Sequence, residues 1–232
     1  MKLMEKLPIA AAAVVLVVLA LYIASFAQKQ QTSEQVYDQV KELLATKGTQ
    51  LSTIKMWTDQ RTESGTLLRN GKTEIIITAA HFFSTNNADT ECWYTMDGYR
   101  GSIKAVLPHP GSGSLGGKDI AFCIPGKSAK IKQFWSHPRD EQHWKVNLKS
   151  IPPFEVLLLE GNRKFSVMAE LSDDETQPIY VIPRATHNGE SGSGLITKGR
   201  FFVVKGNVPS SSLDFSQVLG VDQSSLMLVT EL

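Results

Sequence analysis

The chain has 232 residues, of which 42% are hydrophobic and 20% charged, and its formal net charge is +1. That hydrophobic share is enough for an ordinary packed core, while near-neutrality without a dense Lys/Arg stripe points away from nucleic acid as a partner. Two cysteines, Cys92 and Cys123, exclude a disulfide-dense scaffold; they can form one bridge or remain as two buried thiols, and the thiols are preferred.

The N-terminus starts with a short basic-leaning stretch, Met1 to Lys6, and Pro8 opens an uncharged run over residues 9–27 rich in Ala, Val and Leu. That run is close to the ~20 residues that cross a bilayer as a helix. Ser25-Phe26-Ala27 offers the small residues of a signal-peptidase site, but the apolar stretch exceeds a signal-peptide core of about 7–15 residues. Residues 1–27 therefore read as an uncleaved signal anchor, a transmembrane helix that makes the membrane a partner. Lys2 and Lys6 on the inner side agree with the positive-inside tendency, which puts the rest of the chain outside the cytoplasm. Cleavage after Ala27 would instead give a secreted or periplasmic protein.

Residues 28–50 read as a short stalk or linker helix. Thr32 or Ser33 can cap it, Val36, Val40, Leu43 and Leu44 fall on one face, and Gly48 can stop it. Packing of that face on the following domain is the plainer expectation.

From residue 51 short apolar and β-branched runs alternate with turn residues, which predicts an all-β domain over 51–232. The first group of strands is expected at 52–58, 65–69, 73–78, 91–96, 101–107, 120–124 and 130–135, with Asn70-Gly71 as a hairpin turn. The second group is expected at 154–160, 164–170, 178–182, 194–197 and 201–205. A short helix is expected near 213–219. The stretch 136–153, rich in His, Pro and charge, would connect a first β unit of about 51–135 to a second of about 150–210. A site assembled between them would lie in a cleft.

Three segments carry chemistry. Thr78-Ala79-Ala80-His81 follows a strand, Asp119-Ile120-Ala121 opens another, and Gly189-Glu190-Ser191-Gly192-Ser193-Gly194 places a hydroxyl among glycines. A serine hydroxyl needs an imidazole to take its proton, and that imidazole needs a carboxylate to fix its tautomer. Glycine at 189 leaves the turn free for backbone N–H groups to face a developing oxyanion. Each segment alone is ordinary; their joint order carries the expectation. The other histidines lack paired metal-ligand spacing, and His109, His137 and His143 read as loop residues. Asp173-Asp174-Glu175 reads as a solvated turn, and the four tryptophans as packing residues.

These segments resemble the three signatures of trypsin-like (chymotrypsin-fold) serine peptidases, closest in style to bacterial members with a Gly-x-Ser-Gly-Ser motif. The resemblance spans about residues 51–207. It implies two six-stranded antiparallel β-barrels with the site between them, and a serine endopeptidase that works without a cofactor or metal on a protein or peptide substrate. By the same resemblance Ser191 is the nucleophile, His81 the general base and acid, and Asp119 the orienting carboxylate. The N–H groups of Gly189 and Ser191 form the oxyanion hole. Thr186, His187 and Lys205 bind substrate, with 201–205 as the strand that pairs with its backbone; Thr186 suggests a taste for acidic side chains. Three departures stand out. Phe82-Phe83 occupies the place where many members have a disulfide cysteine. Glu190 replaces the usual Asp before the nucleophile. No Ile-Val-Gly-Gly-like segment for cleavage-driven activation is present. The alternatives are a catalytically silent relative that binds peptides or partners, and an esterase.

Overall fold

The computed structural model describes residues 31–83, 89–110, 119–132, 146–147, 154–158, 164–172, 178–182, 187, 189–197, 199–207 and 224–232. The expected membrane span 9–27, the helix near 213–219 and the acidic trio 173–175 lie outside them. Among the described residues no helix is long and apolar enough to cross a membrane.

The one described α-helix, α1 (Ser33–Ala45), buries Val36, Val40 and Leu43. These lie three and four positions apart and so share a face. Thr46 accepts the chain at its end by donating from its N–H to the Leu43 carbonyl, and Gly48 follows at φ +92°. Then come β1 (Gln50–Trp57), β2 (Thr62–Asn70), β3 (Thr73–Ala79), a 3-10 turn (Ala80–Phe83), β4 (Asp89–Thr90), β5 (Trp93–Met96), β6 (Tyr99–Pro108), β7 (Ile120–Pro125) and β8 (Ile131–Lys132). Six of these strands close an antiparallel barrel in the order β1-β2-β3-β7-β6-β5, and β4 pairs with β8 beside it. Asn70 pairs with Thr73, so the hairpin turn between β2 and β3 is Gly71-Lys72, one residue later than expected from the sequence.

Strand alternation sorts the side chains into two cores. Met56, Leu67, Ile76, Tyr94, Ile103 and Cys123 fill the barrel interior. Leu68, Ile75, Ile77 and Phe122 point the other way, into a second core shared with Val36, Val40 and Leu43 of α1. The unbroken Ile75-Ile76-Ile77 is thus apolar because both of its faces are buried. The stalk helix thus packs its apolar face on the domain, as expected. Cys92 and Cys123 are both buried and free in the barrel core, and burial pushes both thiols up.

The second sheet comprises β9 (Val146–Asn147), β10 (Phe154–Leu158), β11 (Lys164–Ser172), β12 (Pro178–Ile182), β13 (Gly194–Thr197), β14 (Arg200–Asn207) and β15 (Ser224–Glu231). Its order is β10-β13-β14-β15-β12-β11-β9, with a further pairing between β10 and β11. β15 lies beyond the last strand expected from the sequence and pairs with both β12 and β14. Phe201 and Val203 of β14 and Met227 and Val229 of β15 join the α1 core. His109, in the loop just after β6 as expected, is buried there: its Nε2 lies 3.2 Å from the Val229 carbonyl and its ring 4.5 Å from that of Tyr37. Trp57 and Trp93 flank Arg100 on the barrel surface, its guanidinium carbon 5.2 Å from each ring.

Candidate active site

β3 ends at Ala79, and the 3-10 turn that follows carries His81. Asp119 immediately precedes β7, the neighbour of β3 in the barrel. The Ala80 N–H donates to the Asp119 carbonyl at 3.1 Å, so this pairing sets His81 beside Asp119. Ser191 arrives from the other sheet, just ahead of β13.

The three side chains meet in a line. The Asp119 carboxylate is buried and uses both oxygens: Oδ1 accepts the His81 backbone N–H at 2.7 Å and Oδ2 lies 2.7 Å from Nδ1 of the ring. An ionised carboxylate only accepts, so Nδ1 carries the proton and Nε2 is left as an acceptor. Nε2 lies 3.0 Å from the Ser191 Oγ. The hydroxyl therefore has a base within hydrogen-bond reach, and that base has its tautomer and ring plane fixed.

The loop around Ser191 is tied in several places. Its glycines at 189 and 192 have φ of +87° and +88°, a region costly for a residue with a Cβ. At Gly192 the approach is also too close for a side chain: a Cβ there would sit 2.1 Å from the Ser64 carbonyl oxygen and 2.4 Å from Thr78 Oγ1. Ser64 of β2 donates its N–H to the Ser191 carbonyl at 3.0 Å and its Oγ to the Gly189 carbonyl at 2.6 Å. Thr78 Oγ1 in turn donates to the Ser64 carbonyl at 2.7 Å. The Gly192 N–H donates to the Val204 carbonyl at 2.8 Å, and Val204 returns a bond to Ser193 at 2.9 Å.

Glu190 has its own role. Its carboxylate Oε2 accepts the His187 N–H at 3.0 Å, and its own N–H donates to the His187 carbonyl at 3.1 Å. A shorter Asp would have to move the backbone to reach that donor.

Of the expected substrate residues, Thr186 lies outside the described residues. His187 is exposed and takes part through its backbone. Lys205 lies in β14, at a register shift between Val204 and Gly206. The strand expected to pair with substrate, 201–205, has neighbours of its own within the sheet. Residues 200–203 are bonded to β13 on one side and β15 on the other, and Val204 is taken up by Gly192 and Ser193. Gly206 and Asn207 continue the pairing with β15, opposite Ser225 and Ser224.

Glu63 of β2 was not foreseen. It is half-buried, and its Oε2 is enclosed without a hydrogen-bond partner. Burial pushes its carboxyl above the usual range, an effect opposed by the charges of His81 and Arg61 and reinforced by Asp119. Arg61 donates from Nη1 to the His81 carbonyl at 2.9 Å. A carboxylate near the end of a strand carries no sequence signal of such a position. Among the described residues no cluster of three or more His, Cys, Asp and Glu side chains is placed to hold a metal ion.

Neither a family model nor a curated protein matches the chain. The closed six-stranded antiparallel barrel is compatible with the trypsin-like fold that the motifs resemble.

Proposed function

We propose that this chain is a serine endopeptidase. The observation that carries the proposal is the unbroken line from Asp119 through His81 to the Ser191 hydroxyl, assembled from two sheets. In the proposed reaction the Ser191 Oγ attacks the scissile carbonyl carbon as His81 Nε2 takes the hydroxyl proton, and Asp119 stabilises the imidazolium. The backbone N–H groups of Gly189 and Ser191 receive the oxyanion. Collapse breaks the C–N bond while His81 gives its proton to the leaving amine. Water then attacks the acyl-enzyme with His81 again as base, releasing the acid and restoring Ser191. No step calls for a cofactor.

The β10–β11 pairing supports reading the second sheet as a second six-stranded barrel, with β9 appended. The apolar run 9–27 supports a membrane anchor with the peptidase domain outside the cytoplasm.

The test is labelling of the full chain with a fluorophosphonate probe, the modified residue located by mass spectrometry, together with turnover of a peptide library. Wild type should label at Ser191 and cleave peptides. Ser191→Ala should stay folded, fail to label and lose kcat by a factor on the order of 10⁶. A folded wild type that never labels overturns the proposal in favour of a binding protein. Label or turnover surviving in Ser191→Ala means another nucleophile. Hydrolysis of small esters without peptides means an esterase.

A further inference from the structure

We infer that the Ser64 hydroxyl is a positioning group that locks the peptide unit between Gly189 and Glu190, and with it the backbone frame around the nucleophile. The inference deepens the peptidase proposal and rests on it for its catalytic consequence.

A peptide unit flanked by glycine at φ +87° meets little steric resistance to rotation, and a rotation there re-aims the backbone groups on either side of it. Both polar groups of this unit are nevertheless bonded. Its carbonyl, on Gly189, accepts the Ser64 Oγ–H at 2.6 Å. Its N–H, on Glu190, donates to the His187 carbonyl at 3.1 Å. A flipped unit would lose both bonds at once. The His187 bond is local to the loop, whereas the Ser64 bond ties the loop to the barrel that carries His81.

Ser64 is itself held fast. It is buried, its N–H donates to the Ser191 carbonyl, and its carbonyl accepts Thr78 Oγ1. Thr78 lies on β3, three residues before His81, so one serine on β2 links the histidine strand to both the Gly189 and Ser191 carbonyls. Gly192, with no room for a Cβ against the Ser64 carbonyl, is what allows the approach. Removing the hydroxyl leaves a buried carbonyl without its donor, which favours other orientations of the unit.

The test compares wild type with Ser64→Ala in the full chain by two readouts. Amide hydrogen exchange at Glu190 should speed up at least several-fold in Ser64→Ala while barrel-core amides such as Ile76 stay protected. In turnover kcat should fall about tenfold with KM within twofold, the signature of an interaction needed in the transition state. Unchanged exchange at Glu190 overturns the lock, whatever the activity. Faster exchange with unchanged kcat overturns its catalytic role. A wild type that never labels with fluorophosphonate overturns the peptidase proposal, while exchange still decides the lock. Should Ser64→Ala not fold, Ser64→Cys keeps a side chain of similar shape with a weaker donor, and the same outcomes apply.

Discussion

Asp119 divides its two oxygens between the backbone and the ring of one residue, His81. Two bonds to the same neighbour fix the imidazole in position as well as in tautomer, so the base meets Ser191 without searching for its rotamer. Beside this pair Glu63 has no comparable partner for its enclosed oxygen. Its carboxyl is held above the ordinary range, chiefly by burial. The folded state thus holds that proton more tightly than the unfolded chain. The stability this brings is complete below the unfolded carboxylate value and is lost as pH rises through the raised folded value. Glu63→Gln, which never ionises, should match wild type in melting temperature at about pH 3.5, below the ordinary glutamate value of ~4.3. Its advantage should then grow as pH rises through the raised folded value. Melting curves of both proteins across that range check this, and a pH-independent difference would refute it. The triad was legible in the sequence because residue type, order and flanking glycines are local properties. Ser64 was not, because its partners Gly189 and Ser191 lie more than 100 positions away, and Glu63 was not, because its burial and its charged neighbours His81 and Asp119 come from other parts of the fold.

Among the elements, α1 shows most clearly how a local pattern leaves its partner open. The spacing of Val36, Val40 and Leu43 marks an apolar face, and the helix forms where that face and the cap residues place it. What the face meets, the outer side of the barrel strands together with β14 and β15, has no signature in the helix itself. Leu43→Ala should lower unfolding stability by about 2–3 kcal/mol, measured by urea denaturation. A loss within about 0.5 kcal/mol, usual for exposed sites, would show that the helix does not pack there. The strands were read with similar success from β-branched runs and turns, their ends shifting by a few residues. β15 was passed over because its apolar run 226–229 is short and does not alternate with polar residues. That 200–203 pair on both sides was not legible for a related reason. Which edge is free depends on which neighbours pair with β14, and pairing is not written in a strand's own residues.

For the whole molecule, the arrangement puts His81 and Asp119 on the barrel and Ser191 on the loop before the second sheet's β13, with Ser64 bonded to the Gly189 and Ser191 carbonyls. The site is thus a measure of how the two sheets meet, and disturbance of the α1 core between them should reach it. The proposed anchor belongs to the same scale. An uncleaved segment 9–27 predicts that protein recovered from cell membranes keeps its N-terminus, read as the mass of the intact chain. A mature N-terminus near Gln28 in soluble material would refute the anchor and leave a secreted or periplasmic form.

The sequence by itself determined the inventory: a β-rich chain, an amphipathic helix ahead of it, and a histidine, an aspartate and a serine in an order suited to acyl transfer. Those are properties of neighbouring residues, set by side-chain chemistry, turn preference and periodicity. Only the tertiary structure decided that the Ser191 hydroxyl lies 3.0 Å from the His81 ring, that Ser64 bonds the Gly189 and Ser191 carbonyls, and that the α1 face meets β14 and β15 as well as the barrel strands. Each of these is a meeting of residues far apart in the chain. Burial and hydrogen-bond pairing across such distances are fixed by how whole sheets pack, not by the residues' neighbours in sequence.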